Sequence, residues 1–121
     1  MAKNKTDKPK ILERDVQKGI IDFLAFRHIF HYRNNTGAAV IQPANGPRRF
    51  LRAGALGSPD IVVIIGGKYI GIEVKRPGGV LRESQIAFRN AVNDAGGLYW
   101  VFDSIDSAVD HIQNYLNSHH D

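Results

Sequence analysis

Residues 57–79 read GSPDIVVIIGGKYIGIEVKRPGG, and this stretch decides the fold. Two strand-like runs, Asp60–Ile65 and Lys68–Lys75, flank Gly66-Gly67, a favoured two-residue hairpin connection. Pairing Ile65 with Lys68 sets Asp60 directly across from Glu73. Opposed residues share a sheet face with Cβ atoms roughly 4.5–5.5 Å apart. Lys75, two residues past Glu73, projects from that same face. The reverse face collects Ile61, Val63, Ile70 and Ile72 as a core face. The register that buries four aliphatics therefore also gathers two carboxylates and one ammonium.

Upstream, Leu12, Val16, Ile20, Phe23 and Leu24 recur at spacings of three and four, which predicts an amphipathic helix from Ile11 to Phe26. Gly19 interrupts it at a cost of about 1 kcal/mol relative to Ala, so close packing against another element is expected there. Glu13 and Gln17 lie one turn apart on one side of the helix. Phe30–Arg33 predicts a short strand and Asn34–Gly37 its turn. Residues 38–58, rich in Gly, Pro and Arg, read mostly as loop, with a strand near Phe50–Arg52. Downstream, Pro77-Gly78-Gly79 ends the hairpin. Glu83–Ala95 reads as a helix with Phe88, Val92 and Ala95 on one side and Gly96-Gly97 as its stop. Leu98–Phe102 is a buried-type strand, with Tyr99 and Trp100 expected in the core. Ser104–Leu116 is a helix with Ile105, Val109, Ile112 and Leu116 inward. The class is α/β, in the order helix, three strands, helix, strand, helix.

The chain has 121 residues, 43% of them hydrophobic and 23% charged, which suits one domain with a single core. It has no cysteine, which excludes a disulfide scaffold, a Cys-ligated zinc site and a thiol nucleophile. Of the net charge of +4, Lys3, Lys5, Lys8 and Lys10 against Asp7 supply +3, leaving +1 for the other 111 residues. Residues 1–10 are expected to form a disordered basic arm and 11–121 the domain. Such an arm adds sequence-independent attraction to phosphates or serves as a solubilising tail. No apolar run approaches the ~20 residues of a membrane span, and no apolar stretch follows the charged N-terminus as in a secretory signal. A cytoplasmic, reducing setting is expected, with no membrane partner. Neither G-x-x-x-x-G-K-[ST] nor G-x-G-x-x-G occurs, so no nucleotide cofactor is expected.

Like charges directly opposed in a sheet are destabilising, so something must offset Asp60 facing Glu73. Lys75 does so in part, as a structural ion pair. A divalent cation does so better, because Mg²⁺ is commonly held by one or two carboxylates together with waters and phosphate oxygens. Burial of an ion pair in an otherwise aliphatic strand is a poor route to stability, which favours the metal. A metal between the two acids would lower the pKa of a bound water and stabilise charge on a phosphoryl oxygen. Lys75 could orient that water or stabilise developing charge. Arg48, Arg49 and Arg52, in the Gly/Pro-rich stretch, are candidates for phosphate contacts that position DNA. Arg76 is a fourth, although strand alternation turns it from the acids. His28 and His31, three apart on an extended segment, make a poor metal pair, and His111, His119 and His120 lie on or past the last helix.

Gly57-Ser58-Pro59-Asp60 followed after twelve residues by Glu73-Val74-Lys75 resembles the PD-(D/E)XK nuclease motif. An acid on a preceding helix, a Gly-Gly hairpin inside the motif and a glutamine-bearing helix after it resemble the virus-type replication-repair nuclease (VRR-NUC) branch, over roughly residues 11–102. The resemblance implies a restriction-endonuclease-like core, a mixed central sheet flanked by helices, with the C-terminal helix as an extra packing or dimer element. It implies that Asp60, Glu73 and the Val74 backbone carbonyl hold Mg²⁺ or Mn²⁺, that Lys75 is the catalytic lysine, that Glu13 reaches the metal or its waters, and that Gln85 supports the site. It further implies a homodimeric endonuclease acting on branched DNA such as four-way junctions. The rival expectations are a non-catalytic DNA-binding or assembly module with a remnant acid cluster, and a nuclease acting on RNA.

Overall fold

The computed structural model describes residues 12–34, 38–41, 44–47, 49–52 and 55–119. The basic arm, the turn residues Asn35–Gly37 and Arg48 lie outside them. The elements are α1 (Glu13–Phe26), β1 (His31–Arg33), β2 (Ala38–Ile41), β3 (Arg49–Arg52), β4 (Ile61–Ile65), β5 (Lys68–Val74), α2 (Glu83–Asp94), β6 (Leu98–Phe102) and α3 (Ile105–Ser118). The expected order holds with two strands more. Residues 38–41, read as loop, pair with the strand near 50–52 as an antiparallel ribbon with Ala38 opposite Arg52 and Ile41 opposite Arg49. The reading missed β2 because Ala-Ala-Val-Ile has no alternation of apolar and polar residues for a period of two to reveal.

A second sheet has the order β1-β4-β5-β6, antiparallel except for the parallel β5–β6 pair, and is therefore mixed. The hairpin register is the expected one: Ile65 pairs with Lys68 and Ile61 with Ile72. Gly66 and Gly67 both have positive φ, 57° and 80°, which suits the twist of a two-residue hairpin turn and which side chains disfavour. The parallel return to β6 needs a crossover element, and α2 provides it.

Ile61, Val63, Ile70 and Ile72 are fully buried on one face, with Val16, Ile20 and Leu24 of α1 and Ala108 and Ile112 of α3 in the same core. Burial of each of the Val, Ile and Leu side chains among them contributes about 1.5–3 kcal/mol relative to exposure. Gly19 marks a close approach of α3 to α1, since a Cβ there would sit 2.3 Å from Ile105 Cδ1. Ser104 caps α3, its hydroxyl accepting from the Ser107 N–H at 3.1 Å. Trp100 packs edge-on against His111 and Tyr115, and Tyr99 is buried beside Phe88, so Tyr99 and Trp100 of β6 both belong to the packing. His28 is not on an extended segment. It has φ 57° just past the end of α1, which separates it from His31 on β1. Among the described residues no helix is long and apolar enough to cross a membrane.

Candidate active site

β4 enters and β5 leaves the sheet at the same end, and the first turns of α1 and α2 lie there as well. Between them is an open cleft of about 450 Å³. Its lining includes Glu13 and Gln17 from α1, Asp60 at the start of β4, Glu73, Val74 and Lys75 from the end of β5, and Gln85 from α2. Six residues singled out from the sequence, Glu13, Asp60, Glu73, Val74, Lys75 and Gln85, thus share one cavity.

The acids do not simply face each other. The Asp60 carboxylate crosses to β5, where Oδ2 accepts the Val74 N–H at 2.8 Å. Glu73 is 4% exposed. Its Oε2 accepts the Gln85 amide at 2.5 Å and lies 3.5 Å from Lys75 Nζ, whereas Oε1 is buried without a hydrogen-bond partner. Gln85 is itself oriented, because its Oε1 accepts the Arg82 N–H at 2.8 Å and its Nε2 is thereby directed at Glu73. Arg82 opens α2 but carries no acceptor on its side chain, so the glutamine alone makes this cap.

Burial pushes the Glu73 carboxyl up to about 7, with the neighbouring Asp60 charge adding to the shift and Lys75 opposing it. Asp60 is also pushed up, first by burial, against the lowering effect of the Val74 N–H, and Glu13 adds a further upward push. The hydrogen bond between the two carboxyls lowers Asp60 while it raises Glu73, so a proton shared by the pair resides on Glu73. A cation is the other partner that relieves them. The buried, orphaned Glu73 Oε1 is the observation that fits one, and two carboxylates with the Val74 main chain beside an open cleft form the oxygen-rich donor set that Mg²⁺ takes together with waters. Among the described residues no three His, Cys, Asp or Glu side chains converge closely enough to hold an ion. Glu13 lines the cleft and raises the Asp60 carboxyl through its charge.

The raised carboxyls give a pH dependence with a definite sign. Between pH 4.5 and 7 the native chain binds more protons at Glu73 than the unfolded chain does, so unfolding free energy falls as pH rises. The metal-free protein is expected to be less stable at pH 8 than at pH 5 by about 2 kcal/mol, as measured by urea unfolding in EDTA. A divalent ion competing for the same oxygens should flatten that slope.

Three residues outside the sequence-based set hold the site in place. Asn34, read as a turn former, donates its side-chain amide to Ser58 Oγ and to the Pro59 carbonyl, both at 3.0 Å, while its N–H donates to the Asp60 carbonyl at 2.8 Å. Ser58 Oγ donates onward to the Ala55 carbonyl at 2.7 Å. These bonds fix the entry to β4, and so where Asp60 begins. Gly57 is needed twice over: it has φ +83°, and a Cβ would stand 2.1 Å from the Ser84 carbonyl oxygen. Gly57→Ala is expected to lower stability by about 3 kcal/mol, from the strained φ together with a clash against backbone. A loss under about 1 kcal/mol in urea unfolding would show that this wall of the cleft yields. Asn34 left no sequence signal beyond its turn chemistry, because its partners Ser58 and Pro59 are distant in the chain.

Arg49 and Arg52 are on β3, in the separate ribbon. Arg76 is exposed and is not part of this cleft's lining. Arg48 lies outside the described residues. Tyr99, whose phenol is pushed up by burial and by the Glu73 and Asp60 charges, lies beneath the acids with its hydroxyl 3.5 Å from the Gly57 carbonyl. No protein-family model and no curated protein sequence matches this chain.

Proposed function

We propose that this chain is a metal-dependent endodeoxyribonuclease of the PD-(D/E)XK type, with a restriction-endonuclease-like core, in the VRR-NUC branch, using Mg²⁺ or Mn²⁺. The observation that carries the reading is the convergence of Asp60, Glu73, Lys75 and Gln85 on one cleft, with Glu73 Oε1 buried and unpaired. Asp60, Glu73 and the Val74 carbonyl would hold the ion. When bound, the ion supplies a water of lowered pKa and charge stabilisation at a phosphoryl oxygen.

The chain's own groups do the positioning. Gln85 occupies one oxygen of Glu73 and leaves Oε1 for a ligand, while the Val74 N–H holds one oxygen of Asp60 beside it. Lys75 Nζ has three donors and spends one towards Glu73 at 3.5 Å, so the others can hold the attacking water or a phosphate oxygen as negative charge grows. Glu13, which lines the cleft from the first turn of α1, would accept hydrogen bonds from the waters of a bound ion. No side chain here needs to form a covalent intermediate.

Selectivity for branched DNA and a homodimer are part of the proposal. A two-fold dimer presents two clefts to two strands, which suits a four-way junction. The experiment is one panel: linear duplex, flap, four-way junction and RNA duplex, each with Mg²⁺ and with EDTA, alongside sedimentation of the protein. Cleavage that needs the metal and is fastest on the junction is expected. Equal rates on the three DNAs remove branch selectivity, and preference for the RNA changes the substrate. DNA binding without metal-dependent turnover, and with no Mg²⁺ or Mn²⁺ site by calorimetry, replaces the enzyme with a non-catalytic DNA-binding module.

A further inference from the structure

A second cleft, of about 390 Å³, opens at the same end of the sheet and meets the first at Lys75, which lines both. Its other walls include Arg76, Gly79, Val101, Asp103 and His111. Arg76 follows Lys75 directly, and neighbouring residues at a strand end point to opposite sides. The alternation that turns Arg76 from the acids thus turns it into this second cavity. Two adjacent cations straddle the end of β5, one serving each cleft.

Arg76 is exposed, and among the described residues no acid forms an ion pair with its guanidinium; Asp103 lines the same cleft without doing so. The Ser107 hydroxyl is already spent on the Ser104 carbonyl at 3.1 Å. The His111 ring is held edge-on against Trp100 and Phe102, with centroids 4.6 and 5.6 Å away. The cleft therefore offers a fork of guanidinium donors beside a fixed imidazole and a half-exposed Val101. Phe102 is 6% exposed, too deep to stack with a base. A guanidinium fork without a carboxylate partner matches the oxygens of a phosphodiester.

We infer that this second cleft is a subsite for the phosphodiester group next to the one in the first cleft, so that a single DNA strand passes over the end of β5 with Lys75 between two successive backbone groups. The inference rests on the nuclease reading for the occupant of the first cleft. It assigns Arg76 as the residue that sets the register of the strand. Such a contact carries no base preference and acts on affinity and alignment.

The test uses the full chain in EDTA and a fluorescent four-way junction, whose branch point fixes the register. Single phosphates near the branch are replaced in turn by neutral methylphosphonates, and binding is measured for the wild type, Arg76→Ala and Lys68→Ala. In the wild type one flanking position should lose about five- to tenfold in affinity on neutralisation. Arg76→Ala should bind the unmodified junction more weakly by a similar factor, lose the sensitivity at that position alone, and show a log–log salt slope smaller by about 1. Lys68→Ala, at the far end of β5, should keep the wild-type pattern. If Arg76→Ala remains as sensitive as the wild type at every position, the subsite is overturned. A protein that shows the pattern but never hydrolyses DNA with Mg²⁺ loses the nuclease reading and keeps the subsite. One that hydrolyses DNA without the pattern does the reverse.

Discussion

Lys75→Ala is expected to lower the rate of Mg²⁺-supported DNA cleavage by about 10²–10³-fold, the loss that follows removal of one preorganised charge donor from a reacting oxyanion. Binding to DNA in EDTA should weaken by less than about tenfold, because one cation among several phosphate contacts is removed. The proposed role rests on where the side chain lies. Its Nζ is 3.5 Å from Glu73 Oε2, and the side chain is only 14% exposed, on the wall of the acidic cleft. A purely structural ion pair would be restored by arginine. A compact ammonium serving a developing charge would not, since a planar fork cannot occupy the same point. Lys75→Arg should therefore fail to restore turnover while leaving urea stability near the wild-type value. Full-rate cleavage by the alanine variant would remove Lys75 from the chemistry.

Glu73→Gln separates the metal site from the salt bridge by the sign of its effect. The carboxylate is buried, one oxygen has no partner, and burial with Asp60 nearby pushes it up to about 7. A neutral amide of nearly the same shape removes the buried charge and can donate to Asp60. The metal-free variant is expected to gain about 1–2 kcal/mol at pH 8 over the wild type, to lose the fall in stability between pH 5 and 8, and to show no Mg²⁺ binding by calorimetry and no cleavage. Were Glu73 and Lys75 a structural pair, removal of one partner from so buried a position would cost about 3–5 kcal/mol instead. A destabilised Glu73→Gln would thus count against the site, and a stabilised but inactive one would support it.

The parts of the molecule that the sequence made readable are those that rest on local rules. Gly66-Gly67 between two aliphatic runs has one favourable pairing, and a slip by one residue would turn Ile61, Val63, Ile70 and Ile72 out of the core. That register follows from turn chemistry and hydrophobic period alone, and it carries Asp60 and Glu73 to neighbouring strand ends. The helices follow from spacings of three and four, with Gly19 marking the approach of α3. The β2–β3 ribbon escaped because its first strand has no alternation. The support of the site escaped because Asn34 reaches Ser58 and Pro59, and Gln85 reaches Glu73, across stretches of chain that no local pattern spans.

By itself, then, the chain's residue order determined the hairpin, the faces of its strands and helices, and the identity of the acids and the lysine, since each follows from periods of two or 3.6 and from glycine's freedom at a turn. Tertiary structure alone decided which Glu73 oxygen is paired and which is left bare, that the Asp60 carboxylate is held by the Val74 N–H, and that Arg76 opens onto a second cleft. Those outcomes depend on separations of a few ångströms between elements distant in the chain, and such distances exist only once the core has packed.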